Sequence, residues 1–155
     1  NDNIMDKSEK LFIILSILGL LPFIIGLLDF LINKNNLLFL VNLPKYYGSI
    51  IFTFLGAIYW GAMLNLPPKN LIPEKIKFFI IIWSVVPSIV GITVLSIKSN
   101  LSLIILSIGF LLCQLVDEIF NKYLSFPNWY LPLRRILTLI VVIVLICSYF
   151  IIQTP

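Results

Sequence analysis

The sequence is poor in the side chains that most often carry enzyme chemistry. It contains no histidine and only two cysteines among 155 residues. Histidine is the usual general base and the commonest ligand of zinc and copper, so its absence weighs against such sites. There is also no Gly-rich phosphate loop and no nucleophile beside a base. We therefore predict a protein that is not an enzyme and that has no catalytic residues, metal or cofactor.

Charged residues are also scarce, at 12% of the chain, whereas 60% of the residues are hydrophobic. The mean hydropathy is +1.07. A soluble domain of this size could not bury so much apolar surface, but a lipid environment can cover it. The net charge of +4 comes from Lys and Arg that are scattered between apolar segments. This pattern favours membrane lipids as partners and does not indicate nucleic acid.

Five apolar segments are each long enough to cross a hydrocarbon core of ~30 Å as a helix that rises ~1.5 Å per residue. We predict an all-α integral membrane protein with one domain, residues 1–155, a bundle of five transmembrane helices. The first span contains Pro22, which predicts a kink. Between the first two spans, residues 33–45 are predicted to form a loop, with 37–41 lying in the membrane interface. The predicted spans are 11–32, 47–64, 78–97, 101–120 and 133–152.

The distribution of positive charge predicts the orientation of the bundle. With five spans, eight of the eleven Lys and Arg residues lie on the side of the N-terminus. Lys and Arg are enriched in cytoplasmic loops, so we predict the N-terminus inside (cytoplasm or matrix) and the C-terminus outside. The residues on the inner side are Lys7, Lys10, Lys69, Lys75, Lys77, Lys122, Arg134 and Arg135, and those on the outer side are Lys34, Lys45 and Lys98.

The second span carries a row of small residues. Ser49, Thr53, Ala57 and Gly61 recur at intervals of four, and Gly56 widens the row. Small residues let two backbones approach closely, which is a main source of helix association in lipid. We therefore predict that these five residues form a packing groove and that the second span is the hub of the bundle.

Charged residues at the end of span four and the start of span five are predicted to meet at the inner interface. Asp117 and Glu118 would then lie within reach of Arg134 and Arg135. Arg and a carboxylate can form a two-pronged hydrogen-bonded pair. Two interpretations stay open: a structural clamp between the last two helices, or a proton or ion site.

Other polar and aromatic residues lie toward the span ends. Lys75, Lys77, Trp129 and Tyr130 are predicted to contact lipid headgroups, as basic and aromatic residues do at membrane interfaces. Asp29 lies near the outer end of span one. One interpretation is that its side chain reaches the interface or meets Lys34 or Lys45. The other is that it forms an intramembrane acidic site.

Several short segments carry a family resemblance. They are Leu20–Phe23 in span one, Tyr47–Ser49 and Phe54–Gly61 in span two, Trp83–Pro87 in span three, Asp117 in span four, and Trp129–Arg134 with Leu137–Thr138 at span five. In order and spacing they resemble the TMEM69-like proteins, whose domain of unknown function is called DUF3429. Tyr59 stands where members of that family often carry histidine. The resemblance implies a small multi-pass protein of bacterial or mitochondrial membranes and supplies no activity.

Two functions remain as hypotheses. The first is an accessory, assembly or scaffolding subunit of a larger membrane-protein complex in the bacterial or mitochondrial inner membrane, with respiratory-chain complexes as the suspected partners. The second is a transporter of a small solute or ion that works as an oligomer. A transporter would show a polar cavity lined by Asp29, Thr53, Tyr59 or Asp117.

Overall fold

The computed structural model describes residues 6–32, 38–65, 72–124 and 126–153, and these residues form helices and connecting turns without a strand. The helices are α1 (Lys7–Leu18), α2 (Leu21–Ile32), α3 (Leu38–Leu64), α4 (Glu74–Ser96), α5 (Leu101–Leu124) and α6 (Tyr130–Gln153). Within this described part of the chain, five segments are long and apolar enough to cross a membrane. They are Lys7–Asp29, Asn42–Leu64, Glu74–Ser96, Leu101–Leu124 and Tyr130–Ile152. The predicted all-α bundle of five spans is thus confirmed.

The first span is divided rather than merely kinked. Because Pro22 has no N–H, the carbonyl of Leu18 lacks its helical donor, and α1 ends there. Gly19 closes α1 with a backbone hydrogen bond of 2.9 Å to the Leu15 carbonyl, and α2 starts two residues later. None of the residues of α1 is buried, whereas Phe23 of α2 is only 1% exposed. The part of the first span after the break therefore supplies its contribution to the core.

The second span begins earlier than predicted. Residues 38–45, assigned from the sequence to a loop, form the first turns of α3, and the helix continues through the buried Pro44. The predicted loop at 33–45 is therefore wrong for residues 38–45, and residues 33–37 lie outside the described residues. The interfacial location of 37–41 stays a prediction. A helix keeps its backbone groups bonded within itself, and one proline removes a single donor. An apolar run is therefore better placed in the helix than in a loop.

The later helices also extend beyond the predicted apolar cores. α4 starts four residues before the predicted span, α5 continues to Leu124, and α6 starts at Tyr130 instead of 133. Hydropathy marks the part of a helix that sits in hydrocarbon, whereas the helix itself continues into the headgroup region. Because α6 already includes Tyr130, the helix determines the direction of this side chain.

Helix α3 is the hub of the bundle, because it contacts α2, α4, α5 and α6. Three phenylalanines from α2, α3 and α5 meet edge to face beside it: the Phe23 and Phe110 rings are 6.5 Å apart, and the Phe52 and Phe110 rings are 5.5 Å apart. Leu106 and Leu145, both 0% exposed, complete this core. A Cβ on Gly109 would lie 2.8 Å from the Phe52 ring, so the glycine makes room for that ring.

Candidate functional site

Helices α3 and α4 approach each other closely, and small residues face one another at their contact. A Cβ on Gly56 would lie 2.6 Å from the Ser84 carbonyl oxygen of α4. On the other side, a Cβ on Gly91 would lie 2.7 Å from the Thr53 hydroxyl and 3.2 Å from the Ser49 carbonyl oxygen. Only glycine fits at these two positions without movement of a neighbour. Ser49, Thr53 and Gly56 thus do line a packing contact.

The far end of the predicted row does not take part in this contact. Ala57 and Gly61 are exposed, and a Cβ on Gly61 would meet nothing within 4 Å. The physical reason is the helical repeat: each step of four residues turns the helix by about 40° beyond one full turn. Gly61, three steps from Ser49, is therefore rotated by about 120° from the face that meets α4. The prediction that Ala57 and Gly61 pack inside the bundle is corrected.

Ala57, but not Gly61, lines an open groove between α3 and α4. Ala57 forms part of its floor, and the exposed side chains of Phe54 and Trp60 stand beside it. The remaining lining residues are Ile50, Thr53, Ser84, Val85 and Ser88. The Thr53 and Ser84 hydroxyls donate to carbonyls of their own helices, at 2.9 and 2.6 Å, so the groove is mainly apolar in character.

A buried ion pair joins α5 to α6. The Arg134 Nε donates to the Asp117 Oδ2 at 3.0 Å, and the two side chains are 8% and 3% exposed. The phenol of Tyr59, which is 1% exposed, donates to the other oxygen of Asp117. The rings of Phe120 and Phe126 pack edge to face against Tyr59, at 5.6 and 6.3 Å. The carboxylate thus connects three helices, α3, α5 and α6.

Further hydrogen bonds extend from this ion pair. Arg134 Nη1 donates to the Thr138 hydroxyl at 3.2 Å, and that hydroxyl lies 3.4 Å from the Gln114 carbonyl oxygen. Gln114 in turn donates to Glu118 at 2.8 Å. Arg134 Nη2 is also buried, and it has no hydrogen-bond partner within the described ranges.

A second ion pair lies next to the first and is more exposed. Arg135 donates to both oxygens of Glu118, at 2.6 and 2.8 Å, and the side chains are 60% and 33% exposed. The structure therefore brings together all four residues of the predicted ion-pair group. It does so in register, with 117 opposite 134 and 118 opposite 135.

The residues predicted to contact headgroups are placed differently from one another. Lys75 is exposed at the start of α4, and Lys77 forms an ion pair of 2.8 Å with Glu74. The Trp129 ring stacks on Phe12 at 6.2 Å, and its Nε1 is buried, as is the hydroxyl of Tyr130. The headgroup prediction is thus corrected for the polar atoms of Trp129 and Tyr130. The reason for Tyr130 is that α6 begins there and places it one turn before Arg134, on the face that meets α5.

The residues proposed to line a transport cavity do not form one surface. Tyr59 and Asp117 meet, but the Thr53 hydroxyl is bonded to its own helix, at the α3–α4 contact. Asp29 is buried near the end of α2, which leads into the start of α3, whereas Tyr59 lies near the end of α3. Asp29 and Asp117 are therefore at opposite ends of the bundle.

Sequence reasoning missed the links from Asp117 to Tyr59 and from Arg134 through Thr138 to Gln114. No local pattern connects Tyr59 with a carboxylate 58 positions later. Two pairs are spaced four residues apart, which places the members of each pair on one helix face: Gln114 with Glu118, and Arg134 with Thr138. This spacing is the sequence signal from which part of the network could have been predicted. Among the described residues, no three His, Cys, Asp or Glu side chains lie close enough to hold a metal ion.

Taken together, the membrane-spanning helices, their contacts through small residues and the buried ion pair define a multi-pass integral membrane protein. Residues 8–150 match the family described as "Protein of unknown function (DUF3429)". The match covers nearly the whole chain, and the protein belongs to this family. The narrower TMEM69-like resemblance stays a prediction. No curated protein and no solved structure matches the chain.

Proposed function

We propose that this protein is a non-catalytic accessory or scaffolding subunit that binds a transmembrane helix of a partner protein in the open α3–α4 groove. One observation carries the proposal: the row of small residues on α3 continues past the internal contact, and Ala57 and Gly61 are exposed. A Cβ on Gly61 has no neighbour within 4 Å. The same kind of surface that packs α4 against α3 is thus available to another helix.

The physics of helix association in lipid supports this assignment. Lipid tails are as apolar as leucine, so apolar side chains alone do not favour a protein neighbour over lipid. Close backbone approach does favour it, because a flat surface gives continuous van der Waals contact. In the groove, the small side chain of Ala57 lets a partner backbone approach closely, and Trp60 supplies a large side chain that a partner can cover.

The buried polar cluster fits a structural role in the same proposal. Asp117 and Arg134 are paired with each other, and Tyr59 adds a bond from α3. Breaking such a pair is strongly unfavourable, so it resists separation of these helices. These bonds hold α3 in one orientation relative to α5 and α6, as a scaffold requires.

The location and orientation are part of the proposal. The protein lies in the bacterial or mitochondrial inner membrane, with the N-terminus inside, because eight of its eleven Lys and Arg residues lie on that side. The partner is a subunit of a larger membrane complex, with the respiratory chain as the first place to look. Exposed cations such as Lys75 contact anionic headgroups there.

The test is photo-crosslinking in the native membrane. A photoreactive phenylalanine analogue is placed at Phe54, which is 63% exposed in the groove, and as a matched control at Phe150, which is 60% exposed on α6. We expect one discrete protein adduct at position 54 that is absent at position 150 and is lost when Ala57→Leu fills the groove. Mass spectrometry of the adduct identifies the partner.

Other outcomes have defined meanings. Only lipid adducts at both positions, or an adduct at position 54 that Ala57→Leu leaves unchanged, would refute the groove as a docking site. An adduct of two copies of this chain would favour the second hypothesis, an oligomeric transporter. The observation that keeps that hypothesis is the ionisable cluster of Asp117 and Arg134 within membrane-spanning segments. Flux measurements on Asp117→Asn in vesicles would then follow.

A further inference from the structure

Two buried polar atoms at the inner end of α6 lack hydrogen-bond partners among the described residues. They are the Arg134 Nη2 and the Tyr130 hydroxyl oxygen. The two residues are four apart on α6 and therefore share one helix face. The guanidinium of Arg134 lies near hydrogen-bonding range of the Tyr130 phenol. No described group, however, meets the distance and angle of a hydrogen bond to Nη2 or to the hydroxyl oxygen. Buried polar groups are rarely left in this state, and a pair of them on one face points to a bridging ligand.

The charges around this position determine the kind of ligand. Asp117 already balances the guanidinium of Arg134, because their side chains form an ion pair of 3.0 Å. An anion would add an unpaired negative charge beside Asp117, and a cation would be repelled by Arg134. A neutral oxygen avoids both costs. It can accept from Nη2 and either donate to or accept from the phenol, which has both capacities.

We infer that an ordered water molecule bridges Arg134 Nη2 and the Tyr130 hydroxyl, forming an internal water site between α5 and α6. Buried waters characteristically satisfy two to four otherwise unpaired polar atoms, and this position offers two donors or acceptors in proximity. Arg134 is one turn from the start of α6, about 6 Å along the helix axis. Water therefore has a short path from the headgroup region. The inference is independent of the proposed partner helix.

The experiment compares two tyrosines of the same protein in lipid bilayers. Water-edited solid-state NMR measures how fast magnetisation passes from water to ¹³C-labelled tyrosine rings and ¹⁵N-labelled arginines. Tyr59 is the internal control, because its hydroxyl is buried but bonded to Asp117. We expect transfer to the Cζ of Tyr130 and to Nη2 of Arg134 to be several-fold faster than transfer to the Cζ of Tyr59. Tyr130→Phe and Tyr59→Phe assign the ring signals.

A second measurement separates a bridging water from general exposure of the helix end. Tyr130→Phe removes one of the two partners, so transfer to Arg134 Nη2 should slow several-fold while transfer to exposed Arg135 stays the same. Equal transfer to Tyr130 and Tyr59 in the unmodified protein would overturn the inference. So would a Tyr130→Phe protein in which transfer to Arg134 is unchanged, or a direct coupling between the arginine and the phenol. The first comparison decides the matter even if Tyr130→Phe does not fold.

Discussion

The ion pair between Asp117 and Arg134 should be the most sensitive point of the fold. Asp117→Asn leaves the guanidinium of Arg134 without its counter-charge at a position where the two side chains are 3% and 8% exposed. Removing one partner of a buried pair costs about 3–5 kcal/mol, because the other charge stays buried and uncompensated. Arg134→Gln should cost a similar amount. The Asp117 carboxylate retains only the hydrogen bond from Tyr59 in that variant.

The double mutant is the informative variant. Asp117→Asn with Arg134→Gln contains no charge at either position, so the cost of an unpaired ion disappears. We expect the double mutant to be less destabilised than the sum of the single mutants, with a coupling of about 1–3 kcal/mol. Tyr59→Phe should cost less than either single mutant, about 1.5–3 kcal/mol, because it removes one hydrogen bond to a charged group.

The neighbouring pair provides a matched control. Glu118 and Arg135 have the same separation in sequence and two hydrogen bonds, but their side chains are 33% and 60% exposed. Exposed pairs contribute about 0–1 kcal/mol, so Glu118→Gln and Arg135→Gln should change stability little. The free energy of unfolding can be measured by reversible titration with a denaturing detergent, followed by circular dichroism. Additive effects of Asp117→Asn and Arg134→Gln, or equal effects at the exposed pair, would refute the reasoning.

Three further predictions concern close contacts and one helix end. Gly56→Leu should destabilise the bundle by several kcal/mol, because its Cβ would lie 2.6 Å from a backbone oxygen of α4. Gly61→Leu should leave thermal stability unchanged, because a Cβ there meets nothing within 4 Å. A larger loss of stability at Gly61 than at Gly56 in a melting assay would contradict the packing. Gly109→Ala should cost about 1–3 kcal/mol through overpacking against an aromatic ring of α3; an equally stable variant would show that the ring moves freely. Lys45→Met should lower the stability of α4, because the Lys45 ammonium donates to the Ile97 carbonyl at the end of that helix. We expect faster hydrogen exchange in the last turn of α4. Unchanged exchange would show that this hydrogen bond does not stabilise the helix end.

The number of spans was predictable from the sequence because it follows from the length of apolar runs alone. The ends of the helices were not, since a helix continues beyond hydrocarbon wherever its backbone can still bond, as at Tyr130 and residues 38–45. The pairing of Asp117 with Arg134 was predictable because a short connection returns α6 beside the end of α5. The bond from Tyr59 was not, because it depends on how α3 is rotated about its axis, which no local spacing reveals.

The row of small residues is a second case in which the local sequence pattern predicts one feature and the packing of the helices determines another. A repeat of four residues identifies a helical stripe, but the stripe winds around the helix, and a neighbouring straight helix covers only part of it. Ser49 and Thr53 therefore meet α4, whereas Gly61 faces outward. A sequence pattern predicts that a surface is suited to close packing. Whether the neighbour is another helix of the same chain or of a partner depends on the arrangement of the whole bundle.

Apolar packing and polar bonds have different tasks in this bundle. Lipid tails and apolar side chains are nearly equivalent environments, so burial of leucine or isoleucine does not select one sliding position of α5 against α6. The ion pairs do select one, because Asp117 meets Arg134 and Glu118 meets Arg135 in the same register. A shift of α6 by one turn would move both arginines about 5.4 Å along the helix axis. It would leave the Asp117 carboxylate, whose side chain is 3% exposed, without its counter-charge. The cluster therefore fixes the register of the last two helices, and through Tyr59 it fixes the rotation of α3. Because α3 also forms the groove, the direction in which Ala57 and Gly61 face follows from a hydrogen bond made on the other side of the same helix.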